Sequence, residues 1–140
     1  MGVIMPNQHA QPEMSRQEAE YVSRLYQSQY MIVTNSIDEA ADDLQELNSA
    51  ARSLDRMGQI FGKNALYGVG PDTYVPCSID TSGVVIIGVG AGYMIEMSSV
   101  HAREIIASRI EKQNKMLERL SKAKQDLESA ITGLSERMKG

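Results

Sequence analysis

Two stretches of this chain repeat apolar residues every seven positions, and the stretch between them alternates instead. From Ser15 to about Met57 no Gly or Pro interrupts the sequence. Ser15-Arg16-Gln17-Glu18 has the S-x-x-E form of a capping box, in which the Ser and Glu side chains satisfy orphan N–H groups at a helix start. Apolar residues then recur with spacings of three and four. With d positions at Ala19, Tyr26, Val33, Ala40, Leu47 and Leu54, the a positions are Ser23, Tyr30, Ile37, Leu44, Ala51 and Gly58, and ten of the twelve are apolar or aromatic. The last segment repeats the pattern. Its d positions are Ile106, Gln113, Leu120, Leu127 and Leu134, its a positions Ile110, Leu117, Lys124, Ile131 and Met138, and eight of these ten are apolar. A sustained seven-residue repeat predicts coiled coil, and polar insertions such as Gln113 and Lys124 fix register at some cost in stability.

Each predicted helix is roughly 60 Å long at 1.5 Å per residue. Matched lengths point to an antiparallel pair. One register pairs Leu47 with Ile110, Ala40 with Leu117, Ile37 with Leu120, Tyr30 with Leu127 and Tyr26 with Ile131, so that every d meets an a. The alternative is two separate intermolecular coiled coils.

From Gly58 to Ser98 the character changes: this stretch holds eight of the eleven glycines and two of the four prolines. β-Branched and aromatic runs predict strands at 65–69, 73–79, 84–89 and 92–97, forming two successive hairpins with turns at Gly70-Pro71-Asp72 and Gly90-Ala91-Gly92 and a connection over 80–83. Four short strands cannot bury Val84-Val85-Ile86-Ile87 on both faces. Unpaired edges and exposed apolar faces invite another subunit, which makes Leu66, Val69, Tyr74, Val75, Ile79, Val84, Val85, Ile86, Ile87, Val89, Tyr93 and Ile95 candidate oligomerisation residues. The alternative is a small sheet packed on its own helices. The expected division is a flexible N-terminal tail (1–14), coiled-coil helix 1 (15–58), two hairpins (59–98) and coiled-coil helix 2 (99–140). The fold class is therefore α+β.

Composition narrows the function. Hydrophobic residues are 42%, aromatics only 5%, and there is no Trp. That suits an elongated α-rich chain or an obligate oligomer better than a compact globule. The 14 basic and 18 acidic residues are spread along the chain, leaving no footprint for nucleic acid. No apolar run reaches the ~18 residues a membrane span needs. Pro6 and Pro12 mark the tail as disordered, and without a basic n-region or an apolar h-region it does not read as a signal peptide. A single cysteine, Cys77, fits a reducing, cytoplasmic setting. Gly88-Val89-Gly90-Ala91-Gly92 departs from the dinucleotide fingerprint at Tyr93 and reads as a hairpin turn. Cys77, His9 and His101 lack partners at metal or catalytic spacing. The expectation is a non-enzyme without metal or cofactor.

Apolar residues outside the seam are the informative ones. Tyr21, Val22, Leu25, Met31 and Ile32 fall at f, g, c, b and c in the first half of helix 1. Together with Met14, Tyr26, Ile131, Leu134 and Met138 they form a candidate apolar tip at the end of the helix pair away from the hairpins. Tyr and Met suit adaptable contacts. The alternative is that they pack on the tail or on a third helix.

Tyr74-Val75-Pro76 in the first hairpin and Val89-Gly90-Ala91-Gly92-Tyr93 in the second, set between two long helices, give the chain a resemblance to the α-class subunits of archaeal prefoldin over roughly 15–138. The resemblance implies an ATP-independent chaperone: a hexamer of two α and four β subunits, with hairpins closing a double β-barrel platform and coiled coils hanging from it. Its tips would hold unfolded clients and pass them to a group II chaperonin. The other function this architecture allows is a structural scaffold subunit that binds one specific partner.

Overall fold

The computed structural model describes residues 14–60, 62–79 and 83–139. Chain order is α1 (Arg16–Ile60), β1 (Asn64–Gly70), β2 (Thr73–Ser78), β3 (Val84–Gly90), β4 (Tyr93–Ser98) and α2 (Ser99–Lys139). Two long helices flank two antiparallel hairpins, the expected elements in the expected order. The tail up to Glu13 and the connection at 80–82 lie outside the described residues.

Local chemistry sets the helix ends. Ser15 Oγ accepts the Glu18 N–H at 3.1 Å, the predicted N-cap. Ser98 does the same for α2, accepting the His101 N–H at 3.1 Å. The expected stop of helix 1 at residue 58 comes two residues early, because a lone glycine costs a helix only about 1 kcal/mol. Gly62, at φ +73°, supplies the left-handed residue just past the helix end.

The chain divides into two compact units, one formed by the residues up to Asp42 and from Asn114 onward, the other by Asp43–Gln113. In the first unit, Ala19, Tyr26, Leu127 and Leu134 are buried together, with Val22, Tyr30, Val33, Ala130 and Ile131 packed against them. Tyr30 and Leu127, and likewise Tyr26 and Ile131, share this cluster, as the antiparallel register requires. The Tyr30 hydroxyl donates to Glu128 Oε1 at 3.1 Å. Lys124, polar at an a position, stays near the seam by setting its ammonium 5.7 Å from the centre of the Tyr30 ring.

In the second unit, Ile87, Ala102 and Ile106 are buried, surrounded by Leu47, Ala50, Ala51, Leu54, Val85, Met97 and Ile110. Arg103 donates to the Leu54 carbonyl at 2.8 Å and reaches Asp55 at 3.7 Å. The last turn of α1 has no basic residue of its own, so Arg103 supplies positive charge there from α2.

The hairpins form two separate two-stranded sheets. Their registers match with an offset of twenty positions: Asn64 pairs with Ser78 and Val84 with Ser98, and a bulge falls between Gly68 and Gly70 and again between Gly88 and Gly90. Gly88-Val89-Gly90-Ala91-Gly92 thus spans the end of β3 and a turn into β4, with no helix opening after it.

Candidate functional site

The second unit carries one apolar surface, on the hairpins. Leu66, Val69, Tyr74, Val75, Val84, Ile86, Val89, Tyr93 and Ile95 are exposed, and Ile79 is half-buried. Within the expected oligomerisation set, Ile87 is buried and Val85 half-buried. Strand alternation turns both toward the chain's own helices, where they pack with Ala102 and Ile106. Tyr67, Met94 and Val100 are exposed but were not singled out from the sequence. For Tyr67 the signal was present, as an aromatic inside an expected strand. Tyr74 lies 3.9 Å from where a Cβ of Gly68 would stand, and the Met94 sulfur 3.4 Å from that of Gly88. Each glycine leaves room for the large side chain opposite it.

The first unit carries the other. Tyr21, Met31, Ile32, Met138 and Met14 are exposed; Val22, Leu25 and Ile131 are half-buried. Tyr26 and Leu134 are only 2% and 7% exposed. The reason is their d position, where the facing helix covers them. Tyr21, Leu25 and Ile32, spaced by four and seven, lie along one face of α1. Ala19, Tyr26 and Val33, spaced by sevens, lie along the seam. Tyr21 is turned about 200° from Ala19, but Leu25 and Ile32 precede Tyr26 and Val33 by one residue, about 100°, so the stripe flanks the seam at roughly 120°. Met116, also exposed on α2, was missed from the sequence.

Beside the seam of this unit is a groove of about 160 Å³. Met14, Val22 and Tyr26 line one side, and Ser129, Ala130, Gly133, Leu134 and Arg137 the other.

Among the described residues no three His, Cys, Asp or Glu side chains are grouped to hold a metal ion. His101 sits 3.5 Å from Glu104 with both exposed, Cys77 is free and half-buried, and His9 lies outside the described residues. No described helix is long and apolar enough to cross a membrane.

No curated protein matches the chain. The sequence matches the prefoldin subunit family over residues 26–140. The chain belongs to the prefoldin family. A chain from the cryo-EM structure of filamentous prefoldin (PFD) from Methanocaldococcus jannaschii superposes with a TM-score of 0.70 at 21% identity, covering 84% of this chain and 98% of that one. At that identity the likeness is one of fold. The two long helices and the two antiparallel hairpins match the prefoldin fold, and prefoldin is a chaperone family.

Proposed function

We propose that this chain is the α-type subunit of a prefoldin that captures unfolded polypeptides without ATP and delivers them to a group II chaperonin in the cytoplasm. The carrying observation is the separation of two exposed apolar surfaces into two units. The hairpin surface suits assembly: its strands have unpaired edges, and Leu66, Tyr67, Tyr74 and Val75 are exposed. Two hairpins in one chain favour the α type, with β-type subunits completing a hexamer and its barrel platform. The surface of the first unit suits capture: Tyr21, Met31 and Ile32 are exposed on a helix whose seam is already filled. Several such patches around one client raise effective concentration without any one contact being strong.

The test is light scattering from a chemically unfolded protein diluted into the assembled complex without nucleotide. The wild type suppresses aggregation. The triple variant Tyr21→Ser, Met31→Ser, Ile32→Ser keeps the buried seam and loses suppression. Equal suppression by both would sink the capture role of this face.

A second reading, a structural scaffold subunit, draws on the filamentous assembly of the similar solved chain. An interface that does not close on itself grows without limit. A mass that plateaus with protein concentration supports the closed hexamer; one that keeps rising supports the filament.

A further inference from the structure

Gly133 lies well inside α2, where glycine costs about 1 kcal/mol relative to alanine. Its φ is not in the left-handed region. A Cβ placed there would meet nothing within 4 Å. Neither backbone geometry nor close packing calls for glycine at this position. What its missing side chain provides is space, because Gly133 forms part of the wall of the groove in the first unit.

The groove has the dimensions of a side-chain site. Its volume of about 160 Å³ compares with the ~150 Å³ of a cavity that accepts a benzene ring. Val22, Tyr26, Ala130 and Leu134 give it apolar walls. Tyr26 and Leu134 are fixed by the seam, so the site stands preformed and costs little ordering on binding. Arg137, one helical turn beyond Gly133, is the one charged residue among the described residues of the lining.

We propose that this groove receives a single apolar side chain of a client polypeptide, ring-sized or branched, from a segment that carries a carboxylate next to it for Arg137. The inference rests on the client-capture reading and names the class of segment captured. Charge complementarity selects the occupant: among the described lining residues the one charged group is positive, so an acidic neighbour is favoured and a basic one disfavoured.

Short fluorescent peptides with one Phe beside Glu, or the same Phe beside Lys, test this by anisotropy on the assembled complex. Wild type binds the Glu peptide more tightly. Gly133→Leu fills the groove from within while favouring the helix, so melting temperature holds or rises and Glu-peptide affinity falls about tenfold or more. Arg137→Gln equalises the two peptides. Undiminished binding by Gly133→Leu, or equal binding of both peptides by wild type, overturns the proposal. Tighter peptide binding after removal of residues 1–13 also overturns it, by assigning the groove to the chain's own N-terminal residues. If wild type suppresses aggregation while Gly133→Leu binds the peptide normally, the groove assignment fails and client capture stands. If wild type does not suppress aggregation, client capture itself fails.

Discussion

The two hairpins share one plan and have different surroundings. Both have the same register, the same bulge and a glycine beneath a large cross-strand side chain. Yet Ile87 is 9% exposed, while its counterpart twenty positions earlier, Tyr67, is 66% exposed. The second hairpin runs straight into α2. The Ser99 N–H bonds the Gly83 carbonyl at 2.9 Å, and Arg109 donates to the Gly88 carbonyl at 2.8 Å. These ties hold one face of β3 against the helices. Among the described residues, the additional backbone ties at the first hairpin join its own two ends, through Gly62 N–H to the Ile79 carbonyl at 3.1 Å. It keeps apolar residues exposed on both faces, Tyr67 and Val75 on one, Leu66 and Tyr74 on the other. Register alone therefore does not decide which face of a hairpin is covered. The first hairpin is left as the element most in need of a partner.

The largest effect that could break this comparison is a pair of truncations at matched positions. Ile87→Ala should cost about 2–3 kcal/mol, the low end for emptying a buried aliphatic site. Tyr67→Ala should leave the dilute, unassembled chain within about 0.5 kcal/mol of wild type, as exposed substitutions do. Denaturant titration reads the first difference. Sedimentation at higher concentration reads the second, because Tyr67→Ala should then weaken assembly. Equal costs at both positions in the dilute chain would mean that the hairpins are not differently supported.

The seven-residue repeat made the helices and their pairing legible, since a d residue of one helix can be covered only by an a residue of the other. Turn chemistry at Gly70-Pro71-Asp72 and Gly90-Ala91-Gly92 made the hairpins legible in the same way. Which β residues face the chain's own helices was not legible. Val84-Val85-Ile86-Ile87 is apolar at every position, so the period-two signal that would distinguish its faces is absent. Tyr26 and Leu134 are nearly buried in the seam by their d positions, and they also line the groove beside it. The groove at Gly133 has no sequence signal beyond a glycine inside a helix.

A middle-sized effect sharpens the role of the tether. Arg109→Met keeps the apolar stem but removes the donor to the Gly88 carbonyl, at a cost of about 1.5 kcal/mol, the low end for a bond from a charged group. Hydrogen exchange should then speed up in β3 and β4 while β1 and β2 keep their rates. Equal acceleration in both hairpins would show that Arg109 supports the whole unit rather than the second hairpin alone.

The smallest effect separates the turns. Ala91 has φ +52° and Gly92 φ +80°, so both central residues of the second turn are left-handed, as a type I′ turn requires. Pro71 cannot adopt positive φ, and in the first turn only Asp72 does, at +51°. A non-glycine residue in the left-handed region costs about 1–2 kcal/mol. Glycine would relieve that strain but lose about 0.5–1 kcal/mol to its greater freedom in the unfolded chain. Ala91→Gly should thus stabilise the protein by a net ~0.5 kcal/mol. Asp72→Gly should be neutral or slightly harmful, because the short Asp side chain tolerates the left-handed region by bonding locally. Matched thermal melts check the sign of the difference. A gain for Asp72→Gly as large as for Ala91→Gly would place equal strain in the two turns, and covering by the helices would then remain as the difference between the hairpins.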